Sequence, residues 1–259
     1  MNAAPGGNRK EIEMNHLMQV KDLCKKNILK NISFSVCEGE MTAIMGPSGS
    51  GKSTLLYNVS GMDQPDSGEV WLGNVEITGL SEDDKARLRL NRMGFVFQQM
   101  NMLANLNILD NILLPSFHAD KSRAFHSGQR EKALQLMAQF GIGELADRKI
   151  TEVSGGQLQR ACICRSIMLT PQILFADEPT GALNRSASEE VLRTFLQINR
   201  AGTTILIVTH DSLVAARCQR ILYLLDGEIQ GELHLGPFAE AESSARHRQT
   251  SEWLKKMGW

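Results

Sequence analysis

Apolar residues recur along this chain in short blocks with two different periods, and the change of period separates its parts. Ile32-Ser33-Phe34-Ser35-Val36 alternates apolar with polar, as a half-buried strand does. Met41 to Met45 is a compact apolar run leading into Gly46-Pro47-Ser48-Gly49-Ser50-Gly51, and from Lys52 to Val59 apolar residues take helical spacing. Strand, glycine-rich turn and helix therefore follow one another. Gly68 to Gly79 continues the strand and turn pattern, and the charged stretch Glu82 to Asn91 predicts a short surface helix. From about Gln99 the pattern becomes helical, with a polar break at His118 to Gln129 and an amphipathic segment from Arg130 to Phe140. Ile173 to Asp177 and Thr203 to Thr209 are further runs of strand length, separated by a helical segment around Ser188 to Asn199. Strands alternating with helices predict an α/β fold with a largely parallel sheet covered on both faces. The expected division is a flexible leader over residues 1–16, a body over 17–232 with a helical insertion at about 99–165, and a C-terminal extension over 233–259. Arg246 to Trp259 reads as a separate tail segment whose Trp253, Leu254 and Met257 form an apolar stripe docked on the chain's own domain.

Composition removes several classes of function. With Lys+Arg 28 against Asp+Glu 29 the formal net charge is -1, so no basic excess points to nucleic acid, and no nucleic-acid partner is expected. At 42% hydrophobic and 22% charged residues the 259-residue chain is an ordinary globular one rather than a disordered one. Its longest apolar runs, such as Ile205 to Val208, fall far short of the roughly 18 residues a membrane-spanning helix needs. Met1 to Lys10 carries no apolar signal core and the five cysteines have no CxxC spacing, which makes a reducing cytoplasm the expected compartment. Cys162 and Cys164, two apart on a helix, point to different sides and make a poor metal pair.

Gly46-Pro47-Ser48-Gly49-Ser50-Gly51-Lys52-Ser53 fits G-x-x-x-x-G-K-[ST] at every fixed position, between a predicted strand and a predicted helix. Glycines let the backbone wrap a phosphate with its N–H groups, and the helix N-terminus adds positive potential. Lys52 then reaches the terminal phosphates, and the Ser53 hydroxyl can ligate Mg²⁺. The strand Ile173 to Ala176 ends in Asp177 and Glu178, where ligands of open parallel sheets gather. There Asp177 can hold Mg²⁺ through its water shell and Glu178 can orient and activate an attacking water. The bland reading of Asp-Glu-Pro-Thr-Gly is a turn. Ser154-Gly155-Gly156-Gln157 precedes a long helix, Leu158 to Leu169, with Ser154 placed as N-cap and the glycines leaving backbone N–H groups bare as a second anion site.

These motifs occur in the order P-loop, Gln98 after Phe95-Val96-Phe97, Ser154-Gly155-Gly156-Gln157, Asp177-Glu178 and Thr209-His210-Asp211. In that order the chain resembles the ATP-binding subunit of ABC transporters over about Leu17 to Glu232. The resemblance implies a P-loop NTPase with a RecA-like parallel sheet core, an antiparallel β subdomain and a helical subdomain, hydrolysing ATP with Mg²⁺. It implies two subunits facing head to tail, with ATP between Gly46 to Thr54 of one and Ser154 to Gln157 of the other. On that pattern Ser53, Gln98 and Asp177 attend Mg²⁺, His210 stabilises the γ-phosphate and holds the water, and Lys52 and Glu178 complete the catalytic set. A separate transmembrane permease subunit would hold the protein at the cytoplasmic face of the cell membrane.

A closer likeness is to the branch serving lipoprotein release, macrolide-type export and, most closely, bacitracin-type antimicrobial-peptide resistance. Gly94 to Gln98, Asp110 to Pro115 and Ala176 to Leu183 carry its wording, and Arg248-Gln249-Thr250 is similar to the peptide-resistance members. Two positions depart from the family. Asn184 stands where Asp is usual after Ala-Leu, and no aromatic residue lies between His16 and Phe34 to stack on adenine, the loop Cys24 to Asn27 being short. Met100, Met102, Leu103, Leu106 and Ile108 are expected to line a groove for a membrane subunit's helix or else to pack in the core. The rival class, a soluble DNA-repair or translation ATPase, would need a coiled-coil or zinc insertion or a second ATPase domain.

Overall fold

The computed structural model describes residues 15–119 and 123–259; most of the expected leader, residues 1–14, lies outside them. Two sheets share the apolar blocks. β1 (His16–Lys25), β2 (Leu29–Cys37), β4 (Ser67–Leu72) and β5 (Val75–Glu76) form an antiparallel sheet in the order β2-β1-β4-β5. The larger sheet, built from β3 (Met41–Met45), β6 (Met93–Val96), β7 (Ile173–Asp177), β8 (Thr204–Val208), β9 (Arg220–Leu225) and β10 (Glu228–His234), has the order β10-β9-β3-β8-β7-β6. Its pairings are parallel except β9 with β10.

The parallel strands are largely apolar because both their faces are covered. Ile44, Phe175, Leu206, Val208 and Leu222 point into one cluster with α1 (Lys52–Val59) and the antiparallel sheet. Ala43, Leu174, Ile205, Ile207 and Tyr223 point into the other. That second face carries α3 (Ile108–Ala119), α4 (Arg123–Gln139), α5 (Gly155–Ile167) and α6 (Arg185–Arg200). The period of two is thus preserved in runs that look uniformly apolar. α2 (Glu82–Arg92) starts on Ser81, whose hydroxyl accepts from the Asp84 amide, and delivers the chain to β6.

Two expectations change and a third holds. The polar break at His118 to Gln129 is narrower than expected, since α3 runs to Ala119 and α4 starts at Arg123; polar residues do not by themselves forbid a helix. β9 and β10 were not anticipated, and they form a hairpin on Asp226 and Gly227, both at positive φ. The third expectation, that the tail's apolar stripe docks on the chain's own domain, holds. α8 (Ser243–Lys256) packs on the sheet through buried Leu254, with Trp253 edge-on to Tyr223 at 6.2 Å, because its apolar stripe has a sheet face to cover. The Arg246 side chain, 4% exposed, anchors it by donating to the carbonyls of Ala216, Cys218, Leu235, Gly236 and Pro237. Between β8 and β9 the short helix α7 (Ser212–Ala215) is touched by this tail, where Ser212 Oγ lies 3.2 Å from His247 Nε2.

Candidate active site

Four neighbouring strands, β3, β8, β7 and β6, end at the same edge of the sheet, and each delivers one motif there. β3 runs into Gly46 to Ser53, β8 into Thr209 and His210, β7 into Asp177 and Glu178, and β6 into Phe97 and Gln98. Backbone bonds tie the ends together, with the Thr209 amide donating to Ile44 O at 3.1 Å and the Glu178 amide to Val208 O at 2.9 Å.

The glycine-rich turn wraps tightly because of what surrounds it. A β-carbon on Gly46 would collide with the Leu224 carbonyl oxygen, so the first position admits no side chain. Gly51, at φ 99, precedes α1 in a left-handed conformation, and no side chain caps the helix. The first amides of α1 therefore lack acceptors within the helix and point out of its N-terminus. Lys52, 8% exposed, donates to Gly46 O at 2.8 Å and Pro47 O at 2.9 Å. Burial lowers its ammonium from the ordinary 10.5, while Glu178 and Asp177 act in the opposite direction. Ser50 Oγ is buried without a hydrogen-bond partner. Bare helix amides, an orphaned hydroxyl and a cation held only by carbonyls together suit a polyphosphate.

Across from the turn, Asp177 is 7% exposed and accepts Ser53 Oγ on Oδ1 at 2.9 Å and Tyr57 OH on Oδ2 at 3.0 Å. Burial first, then the bond to Asp177 and its charge, push the Tyr57 phenol up from 10.0. Ser53 and Asp177 are hard oxygen donors and suit Mg²⁺. Glu178, at φ 48, meets His210 Nδ1 through Oε2 at 2.7 Å. A cleft of about 230 Å³ opens beside this pair, lined also by Gly181, Arg185 and Asp211. Gln98 Nε2 lies 3.2 Å from where a β-carbon on Gly181 would stand, so the end of β6 reaches the loop after Glu178.

Ser154 to Gln157 lie at the start of α5, where a β-carbon on Gly155 would stand 3.4 Å from Leu183 of the cleft wall. Ser154 Oγ accepts from the Gln157 amide at 3.3 Å and Gln157 Oε1 from the Ser154 amide at 2.8 Å, closing a capping box. Gly155 is exposed, while Gly156 is buried against Ala187 of α6. Asn184 N-caps α6 by accepting from the Ala187 amide at 2.9 Å, a role Asn fills as well as Asp.

A profile of the ABC transporter family matches residues 29–181. The chain belongs to the ABC transporter family. The matched part is an ABC ATPase domain. It is 40% identical over 218 residues to the macrolide export ATP-binding/permease protein MacB of Burkholderia pseudomallei, which takes in 84% of this chain and 33% of that protein. The chain thus spans about a third of the length of this MacB relative, the 33% just given. The ABC transporter ATP-binding protein YxdL of Bacillus subtilis is 40% identical over 227 residues, 87% of each chain. Among solved structures, the dimeric cassette MJ0796 of Methanocaldococcus jannaschii superposes with a TM-score of 0.76 at 36% identity, over 85% of this chain and 100% of that one. The same cassette in a post-hydrolysis state with ADP and Pi gives 0.75.

Two partners of this ABC ATPase site were missed by motif reading. Tyr57 shares a helix face with Ser53, four residues on, a spacing that signals a common neighbour without naming it. Leu224 closes the turn from β9, and the apolar run before Asp226-Gly227 was a readable hairpin signal. The histidines outside the motifs divide. His118 and His234 are exposed, His16 Nδ1 lies 3.7 Å from Cys37 Sγ, His247 is half-buried, and the side chain of His126 lies outside the described residues. Among the described residues no helix is long and apolar enough to cross a membrane.

Proposed function

We propose that this chain is the ATP-hydrolysing motor of a transporter, paired head to tail with a second copy on the cytoplasmic face of a membrane and bound there to a separate transmembrane permease. The observation that carries the reading is the row of Lys52, Ser53, Asp177, Glu178 and His210 along one edge of the sheet, with a second glycine-rich helix start at Ser154 on another part of the same chain. In this reading residues 17–232 are the ATPase unit, with a helical subdomain at about 99–165, and 233–259 an extension clamped to it.

The roles follow from the chemistry of each group. The amides of Gly46 to Thr54 and the Lys52 ammonium hold the triphosphate, Lys52 exchanging its loop carbonyls for phosphate oxygens. Ser53, Gln98 and Asp177 hold Mg²⁺, which when bound neutralises phosphate charge. Glu178 takes the proton of the attacking water, its carboxylate oriented by His210. Ser154, Gly155, Gly156 and Gln157 of the second copy close over the nucleotide. Neither charge balance nor fold calls for nucleic acid.

A groove of about 380 Å³ supports the permease contact. It is walled by Met62, Leu90, Met93, Phe95, Phe97 and Leu169, a different set from the Met100 to Ile108 stretch expected to form it. Transport of antimicrobial peptides, for resistance or export, is the reading drawn from the branch wording. Macrolide-type efflux or lipoprotein release is the neighbouring one, and the similarity to MacB supports efflux as a candidate.

The shared site is tested by mixing inactive chains. Lys52→Ala and Ser154→Arg homodimers each spoil both sites, whereas their heterodimer keeps one intact site. ATP turnover that reappears on mixing supports the model, and wild-type turnover by either variant alone overturns it. Purification from native membranes then identifies the permease and separates the peptide, macrolide and lipoprotein readings.

A further inference from the structure

Asp177 is held by two hydroxyls from one helix. Ser53 and Tyr57 are four residues apart on α1 and donate to different oxygens of the carboxylate, Oδ1 at 2.9 Å and Oδ2 at 3.0 Å. A single donor would leave the carboxylate plane free, because the torsion that turns it is broad and shallow. Two donors on a common rigid element remove that freedom. Tyr57 is itself well anchored: its carbonyl accepts the Met62 amide at 2.9 Å, the Asp63 amide at 3.0 Å and Ser60 Oγ at 3.2 Å, and its ring packs on the apolar cluster beneath the antiparallel sheet.

We propose that Tyr57 is a positioning residue of the metal site, fixing the plane of the Asp177 carboxylate and thereby setting the affinity of the nucleotide-loaded protein for Mg²⁺. The proposal rests on the reading of Asp177 as the carboxylate that serves Mg²⁺. Ser53 cannot do the positioning alone. Its hydroxyl has one hydrogen, which is committed to Asp177, and lone pairs that remain for the metal. When the metal draws on that oxygen, the phenol of Tyr57 is the donor that has no second task. Removing a group that orients a metal's ligand typically costs about 10–100-fold in metal affinity.

The test uses the full chain and a fluorescent ATP analogue, titrated once in EDTA and once at stepped Mg²⁺. Tyr57→Phe keeps the ring and its packing and removes only the donor. The expected result is unchanged affinity in EDTA and a half-saturating Mg²⁺ concentration raised about tenfold. In an Asp177→Asn background Tyr57→Phe should produce no further change. A variant that weakens binding equally with and without Mg²⁺, with a lowered melting temperature, would show that the phenol only supports the fold, and the proposal fails. An unchanged Mg²⁺ requirement in Tyr57→Phe, with Asp177→Asn strongly altered, also refutes it while leaving the reading of Asp177 intact. Should Asp177→Asn itself keep the wild-type Mg²⁺ dependence, the underlying reading is what fails.

Discussion

His210 Nδ1 stands 2.7 Å from Glu178 Oε2, joining the ends of two neighbouring strands at the edge where the glycine-rich turn opens. Glu178 is 16% exposed and His210 60%, so the histidine forms the outer wall and the carboxylate lies behind it. The contact fixes the orientation of the Glu178 carboxylate at the cleft.

Glu178→Gln should therefore keep ATP bound and trap a closed dimer while turnover is lost, whereas Lys52→Ala should weaken nucleotide binding itself. Equilibrium binding, ATP turnover and sedimentation of both variants check this. Equal turnover in wild type and Glu178→Gln would refute the assignment.

Base selection follows from the short turn between β1 and β2. The Lys26 amide there donates to Asp66 Oδ2 at 2.5 Å, and the side chains that stand against Gly51 are those of Leu29 and of Ile28, which is 39% exposed. No aromatic ring occurs from Leu17 to Ser33. Stacking on a ring is worth about 1–3 kcal/mol by analogy with nucleic-acid sites and tolerates any base. Its loss should lower affinity more than it changes selectivity. GTP should compete nearly as well as ATP, and Asn27→Tyr should tighten both. Dissociation constants at equal Mg²⁺ decide the matter: an ATP preference above about a hundredfold, or about 2.7 kcal/mol, means that another group reads the base.

Three thiols give a pH signature. Burial raises Cys162 from 9.0 to about 11 and Cys218 to about 12, and pushes Cys164 upward as well. Above about pH 9 the unfolded chain releases these protons first, so it binds fewer protons than the folded one and stability falls as pH rises. The urea midpoint should be flat below that point and decline toward pH 11, less steeply in Cys218→Ala. Near neutral pH a thiol reagent should label the half-buried Cys24, reach Cys37 more slowly because burial and then Glu40 push its thiol up, and spare the other three.

Arg246→Ala should destabilise the whole domain, because it strips the donor from carbonyls in two segments at once, Ala216 with Cys218 and Leu235 to Pro237. The loss should be on the order of 3 kcal/mol, read as a lower urea midpoint. Arg246→Lys should recover little of it, since an ammonium lacks the planar fork.

By itself the sequence determined every motif, since each is a local statement: Gly46 to Ser53 between apolar strand and helix, Asp177 and Glu178 at a strand end, Ser154 and Gln157 at a helix start. Helices were readable from the period with which apolar side chains recur, and buried strands from the strand length of their uniform apolar runs. Only the tertiary structure decided which motifs meet. The order β3-β8-β7-β6 brings Lys52, His210, Asp177 and Gln98 to one edge, and nothing in the spacing of these residues encodes that order. Tyr57 belongs to the site because α1 crosses the end of β7, and the tail belongs to the domain because Arg246 meets carbonyls up to 30 residues away in sequence. Hydrophobic periodicity says that a face must be covered. What covers it depends on contacts between residues far apart in the chain, whose geometry exists only once the chain has folded.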